Sequence, residues 1–313
     1  MLRKTKRTNA YFYLLLNTIT WGAFIPIVKL GFNDSNISPF RFLFYRFLLA
    51  GILMTPLIMS YYRKLNRPWQ KTGKILLLES LQTTLGLSLL YLGLAQTTAL
   101  ETNLISTGLP VLVIIGGILF LREKQERHER LGLVLAVIGT LIITLEPLWL
   151  GQDHFRGSLI GNLLVLGYNL INAIYLLLAK VHYRQLPKLF VAGISFYLGI
   201  ISFAILSYFE AKQLGTNLLQ LISADLHSPL AWGVIAYAAI FGSIIGLTSY
   251  IKGQDGIEAS EASLFNYLQP AIYIPLGMLL LGEQASLWQI VSLVVIILGV
   301  VTASRPKSRS KGT

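Results

Sequence analysis

None of the 313 residues is a cysteine, which excludes structural disulfides and thiolate metal sites. Charge is scarce: Asp, Glu, Lys and Arg together make 13% of the chain, against about 25% in an ordinary soluble domain. Water is therefore not the main solvent of this protein. No HExxH, GxSxG or Walker sequence occurs, and no His stands with Asp or Glu inside an apolar run. The four histidines (His128, His154, His182 and His227) fall in loops or at the ends of apolar stretches. These gaps argue against a membrane enzyme and against an ATP-driven pump within this chain, and no cofactor is implied. The first apolar stretch follows "RKTKR" without a small-residue cleavage site, so it reads as a retained span.

What remains is apolar. Hydrophobic residues make 54% of the chain and the mean hydropathy is +0.63. A helix needs roughly 20 apolar residues to cross a bilayer, and inside it every backbone polar group must be satisfied locally. Ten such stretches are expected, at 11–30, 39–62, 73–94, 100–121, 130–147, 157–180, 188–209, 229–251, 260–281 and 287–304. The fold class is all-α: a polytopic membrane protein partnered by the lipid bilayer. The net charge of +12 does not indicate a nucleic-acid partner, because 21 of 26 basic residues fall in alternate connections. Basic loops stay in the cytoplasm, so both termini are expected there, in a bacterial-type inner (plasma) membrane. Arg41 and Arg46 are exceptions inside the second span, with Arg41 expected at the interface. Between Ala211 and Ser228, Leu214, Leu218, Leu221 and Ile222 share one helical face. An amphipathic helix resting on the outer surface is expected there.

The chain also repeats itself. Shifted by 160, residues 73–144 align with 233–304 without a gap, and 17 of the 72 pairs are identical. Gly86/Gly246, Gly93/Gly253, Glu101/Glu261, Pro110/Pro270, Glu123/Glu283 and Gly139/Gly299 are among them. Five spans per copy is an odd number, so the second copy enters from the opposite side. The expectation is two inverted-topology five-helix repeats, 1–147 and 148–313, within one integral membrane unit. Such folds hold a substrate near the midplane and work by alternating access. The paired prolines are expected to bend helices beside the cavity. The paired glutamates are expected to end their spans by taking hydrogen bonds.

The stretch "GLAQTTALETNLISTGLPVLVIIGGILFLREK" with the later "ERLGLVLAVIGTLIIT" resembles the EamA-type repeat of the drug/metabolite transporter superfamily. "WGAF" in the first span and "FRFLFYRFLLAG" in the second fit the same pattern. The resemblance implies ten helices in two inverted halves and transport of amino acids or related metabolites, mostly outward. The sixth span lacks the Trp-Gly pair of the first, a departure from the pattern.

Polar groups within a membrane usually face the interior or water. The expected substrate-binding residues are therefore Asn17 and Trp21 in the first span, Thr83 in the third, and Asn103 and Ser106 in the fourth. Asn169 and Asn172 in the sixth, Ser243 in the eighth, and Ser263, Asn266 and Tyr267 in the ninth complete the set. Arg46 and Glu79 are candidates for charge recognition or coupling. The fifth and tenth spans, almost without polar residues, are expected to face lipid. A neutral polar wall suits zwitterions or uncharged solutes better than phosphates, which demand Arg or Lys clusters. The reading is a secondary transporter of a small neutral or zwitterionic metabolite, with amino-acid-type export leading. The alternatives are a sugar-nucleotide or phosphorylated-metabolite exchanger of the same superfamily, and a non-transporting scaffold or lipid-handling protein.

Overall fold

The structure, a computed structural model, describes residues 2–35, 37–64, 68–109, 112–113, 115–116, 127–150, 157–183, 186–254 and 265–303. Among these the regular structure is helical throughout. Six helices are long and apolar enough to cross a membrane: Thr8–Ser35, Pro39–Lys64, Ile75–Gln96, Leu159–Ala179, Lys188–Gln213 and Pro229–Gly253. Shorter apolar helices cover Arg130–Leu145, Pro270–Leu281 and Leu287–Gly299. Of the expected fourth span, Ala99–Thr107 is helical. Pro110 and Glu123 lie outside the described residues, as does Ser263.

The first span is two helices, α1 (Leu2–Gly22) and α2 (Phe24–Ser35), broken at Ala23. Pro26 has no N–H to give the Gly22 carbonyl, so the ladder opens there. Ala23 N still donates to Ile19 O and Ile27 N to Ala23 O, which keeps the two pieces nearly continuous. The next helices are α3 (Pro39–Lys64), α4 (Pro68–Glu79), α5 (Leu87–Gln96) and α6 (Ala99–Thr107). They are followed by α7 (Arg127–Leu145), α8 (Leu159–His182), α9 (Lys188–Gln213) and α10 (Leu218–Leu226). The chain continues with α11 (Pro229–Tyr237), α12 (Gly246–Gln254), α13 (Pro270–Leu281) and α14 (Leu287–Ala303).

Two spans carry a feature that periodicity does not announce. Between α4 and α5 the chain winds as a π-helix over Ser80–Gly86, and between α11 and α12 over Ala238–Ile245. A shift of 160 lays the first of these on 240–246. A π turn widens the helix and frees backbone groups, and such turns concentrate at functional sites.

Small residues set the helix crossings. A Cβ on Gly139 would meet Ile296 and the Ser292 carbonyl, while one on Gly299 would meet Ala136 and the Gly132 carbonyl. The crossing of α7 and α14 is thus reciprocal, since 132, 136 and 139 shifted by 160 give 292, 296 and 299. Gly93 lies against Gly161 O and Val165, and Gly253 against Leu14 and Ala10 O, which seats α5 on α8 and α12 on α1. Phe42, Tyr91, Leu100, Phe203 and Ile235 are fully buried between these helices. Outward faces carry large apolar side chains, such as Ile52, Leu77, Ile201 and Leu279. In water that surface would be a liability; in lipid it is the expected one. The fifth and tenth spans pack on each other along one face, and each leaves an opposite face of exposed apolar residues such as Leu131, Val134, Leu298 and Val301.

The amphipathic helix forms as α10, but it does not merely rest on lipid. Asn217 caps it with a reciprocal capping box to Gln220, and Gly215, at φ 66°, ends the preceding α9. Asp225 of α10 is buried and pairs with Arg41, Nε to Oδ2 at 2.8 Å. Tyr45 OH also donates to Asp225 at 2.9 Å, and Glu210 stands 3.6 Å from Arg41. Arg41 is 6% exposed, covered by a carboxylate partner that α10 brings from a distant part of the chain. The Pro270 expectation also changes in detail, for Pro270 begins α13 directly after a 3-10 turn at Phe265–Leu268. Pro at the first helical position costs no hydrogen bond.

Candidate functional site

The helices converge on Arg46. Its Nε donates to Ser243 Oγ at 2.9 Å, from the π segment before α12, and its Nη1 donates to the buried Tyr91 hydroxyl of α5. The guanidinium lies over the Phe24 ring at 4.8 Å and near Phe47 at 5.6 Å. Ring faces stabilise a cation without neutralising it. No carboxylate among the described residues pairs with Arg46. A guanidinium has five N–H donors, and two of them are used here. Tyr168 of α8 is within electrostatic reach of the same charge, and its hydroxyl accepts from Asn172 Nδ2 at 3.1 Å. Asn169, next along α8 and fully buried, donates to Ile105 O at 2.7 Å. Its Oδ1 is buried with no partner among the described residues.

Of the expected residues, Arg46 and Ser243 meet directly, with Asn169 and Asn172 on the adjoining turns of α8. Asn17 and Trp21 are held differently. Asn17 Nδ2 donates to Gly246 O at 3.0 Å and Trp21 Nε1 to Gly242 O at 3.0 Å, while the indole packs on Tyr250. Both donors tie α1 to the second π segment and the turn after it, whose loosened backbone leaves carbonyls to be satisfied. Thr83 is buried within the first π segment. Asn103 Nδ2 turns back to Ala99 O at 3.1 Å, and Ser106 sits half-buried on α6. The backbones of Asn266 and Tyr267 lie in the 3-10 turn, with their side chains outside the described residues.

Sequence reasoning missed Phe24, Phe47, Tyr91 and Tyr168. Each looks like ordinary apolar filling in a hydrophobic run, and only the position of Arg46 makes them a cage. The available signal was tyrosine away from a span's expected interfacial belt, as at Tyr168.

Glu79, 3% exposed at the end of α4, accepts from Tyr175 OH and lies in hydrogen-bond contact with Ser195 Oγ, both at 2.7 Å. Glu283, beyond the end of α13, accepts from Ala99 N at 2.7 Å and Leu100 N at 2.9 Å. It therefore caps the first turn of α6, where helix N–H groups lack partners. It takes hydrogen bonds as its sequence position suggested, but from α6 and not from its own span, which ends at Gly282 with φ 65°. Burial pushes its carboxyl above the usual range, against the pull of those two N–H groups and of Lys29.

Two cavities open nearby. One of about 340 Å³ is lined by Lys29, Asn33, Gln96, Thr97, Thr98 and Glu283 among others, so it offers one ammonium and one carboxylate. The other, about 550 Å³, is mostly apolar and lies between Phe40, Thr84, Ser88 and Ser202. Neither is lined by Arg46, which is packed among its neighbours in this structure.

The EamA-like transporter family matches residues 8–145 and 159–305. The chain belongs to that family. Its relatives include the uncharacterized transporter YetK of Bacillus subtilis, 24% identical over 96% of this chain and 89% of the relative. A WAT1-related protein of Arabidopsis thaliana is 26% identical over 93% of this chain and 86% of its own. A solved crystal structure superposes with a TM-score of 0.57 at 15% identity, covering 95% of this chain and 96% of the other. At that identity the likeness shows the fold alone. As an EamA-like protein with several apolar helices of spanning length, the chain is a multi-pass membrane transporter.

Proposed function

We propose that this EamA-like protein is a secondary transporter that moves a small zwitterionic metabolite of the amino-acid type, with export favoured, by alternating access. The observation that carries the reading is Arg46: a cation in the span region, held among the described residues by neutral hydroxyls and ring faces, with donors to spare. A charge in that setting is costly unless an anion visits it. One guanidinium matches one carboxylate in charge and in fork geometry. A dianionic phosphate calls for a second cation, and the partners around Arg46 supply none, which disfavours the phosphorylated-metabolite alternative. The partnerless Asn169 Oδ1 on α8 is an acceptor suited to the ammonium end of the same solute.

The architecture behind this is ten spans in two inverted halves, 1–147 and 148–313, in a bacterial-type inner membrane with both termini in the cytoplasm. Support comes from the reciprocal Gly139 and Gly299 crossing, the two π segments that overlap under a shift of 160, and the two stretches of family match. The cavity beside Lys29 and Glu283 serves as an outer vestibule, and its about 340 Å³ falls in the size range of small-molecule sites. Substrate then reaches Arg46 as the α1–α12 and α5–α8 pairs rock apart.

The test is counterflow in proteoliposomes with labelled amino acids, nucleosides and sugar phosphates. The expected result is saturable exchange of amino acids. Preference for a sugar phosphate overturns the substrate class, and no exchange of any solute favours a scaffold.

A further inference from the structure

Glu79 takes no part in the recognition described above, yet it is 3% exposed, one of the buried acids among the described residues. Its partners come from three places. Tyr175 of α8 donates to Oε1, Ser195 of α9 contacts Oε2, and Tyr183, just past α8, faces the same carboxyl. Among the side chains that the structure describes, no Lys, Arg or His pairs with it. A charge so buried is costly without a counter-ion.

The hydrogens around Ser195 decide how that cost is avoided. Ser195 Oγ lies 2.7 Å from Glu79 Oε2 and also 2.9 Å from the Val191 carbonyl. A serine hydroxyl has one hydrogen, and a carbonyl can only accept. If that hydrogen goes to Val191 O, the contact to Glu79 needs a hydrogen from the carboxyl. We propose that Glu79 is a proton-binding site within the membrane, a neutral carboxyl that donates to Ser195 and accepts from Tyr175, and that this proton is the coupling ion.

Placement supports coupling. Glu79 is the last residue before the π segment Ser80–Gly86, so any change in that winding moves it. Its partner Tyr175 follows Tyr168 and Asn172 at i, i+4 and i+7, one face of α8. That face therefore carries the proton site at one end and the neighbours of Arg46 at the other. Releasing the proton leaves a carboxylate that must draw hydrogens from Ser195, Tyr175 and Tyr183 together, which shifts α8 against α9. The coupling half of this proposal rests on the transporter reading; the proton site does not.

The experiment has two arms on the reconstituted protein. Infrared difference spectra at neutral pH are expected to show the C=O stretch of a protonated carboxyl in the wild type that Glu79→Gln removes and Ser195→Ala shifts. Glu79→Gln is expected to fold with near wild-type thermal stability, because an amide reproduces a neutral acid that both donates and accepts. In the second arm, vesicles carry a pH step of one unit and a labelled mixture of neutral amino acids. One proton per solute gives about tenfold accumulation in the wild type, and Glu79→Gln is expected to equilibrate without accumulation while keeping counterflow. Superimposable infrared spectra for wild type and Glu79→Gln overturn the proton site. Accumulation by Glu79→Gln equal to wild type overturns the coupling. If the wild type moves none of the amino acids, the transport reading and the coupling fail together, and the infrared arm still decides the proton site.

Discussion

Arg41 and Asp225 stand 184 residues apart in the sequence and 2.8 Å apart in the fold, both almost fully buried. The pair fastens the short helix α10 to the start of α3. Removing one partner leaves the other charged and desolvated. Asp225→Asn is therefore expected to lower stability by about 3 kcal/mol, read as an earlier midpoint in thermal unfolding in detergent. Glu210, also near Arg41, is too far at 3.6 Å to replace the lost bond fully. An unchanged midpoint contradicts the buried-pair assignment.

The crossing of α7 and α14 makes a second prediction. A side chain at Gly299 would bring its Cβ within 2.6 Å of two backbone atoms, Ala136 N and Gly132 O, and backbone cannot step aside. Gly299→Val is expected to cost at least about 2 kcal/mol by overpacking. A Cβ at Gly233 in α11 would meet nothing within 4 Å, so Gly233→Ala is expected to stabilise by about 0.5 kcal/mol through helix propensity. Comparison of the two melting curves checks the contrast, and equal effects contradict it.

Glu283 sets a pH dependence. Its carboxyl titrates near 4.5 when unfolded and higher when folded, chiefly because it is buried. Below the unfolded value both states hold the proton, and the contribution is fully present. As pH rises through the folded value, the folded state must ionise a buried group, and the contribution is lost. Wild-type stability is therefore expected to fall from acid toward neutral pH relative to Glu283→Gln. Parallel pH profiles contradict this.

Six of the expected spans were readable from the sequence because hydrocarbon forces long apolar runs with internal hydrogen bonds. Arg46, Glu79 and the asparagines of α8 were readable because polar groups are rare there. What the sequence could not show was who meets whom. The pairing of Arg41 was missed because Asp225 comes from a segment that reads as a surface helix. Asn17 and Trp21 were found as polar positions, but their donors satisfy carbonyls near the second π segment, and no periodicity marks a π turn. Tyr91 and Tyr175 were overlooked because a tyrosine inside an apolar run looks like packing until its hydroxyl finds a charged neighbour.

The lack of native cysteine makes orientation directly measurable. Lys64→Cys and Gln213→Cys both lie at exposed helix ends. In intact cells, an impermeant maleimide is expected to label Gln213→Cys, with Lys64→Cys labelled only after permeabilisation. The reverse pattern contradicts cytoplasmic termini.

The central claim is that Arg46 holds the carboxylate of a transported zwitterion, and the most direct measurement compares counterflow of an amino acid with that of its methyl ester. The wild type is expected to exchange the acid and discriminate against the ester, and Arg46→Gln to lose the acid's exchange by about tenfold or more. Equal exchange of acid and ester by the wild type, or undiminished exchange of the acid by Arg46→Gln, contradicts it.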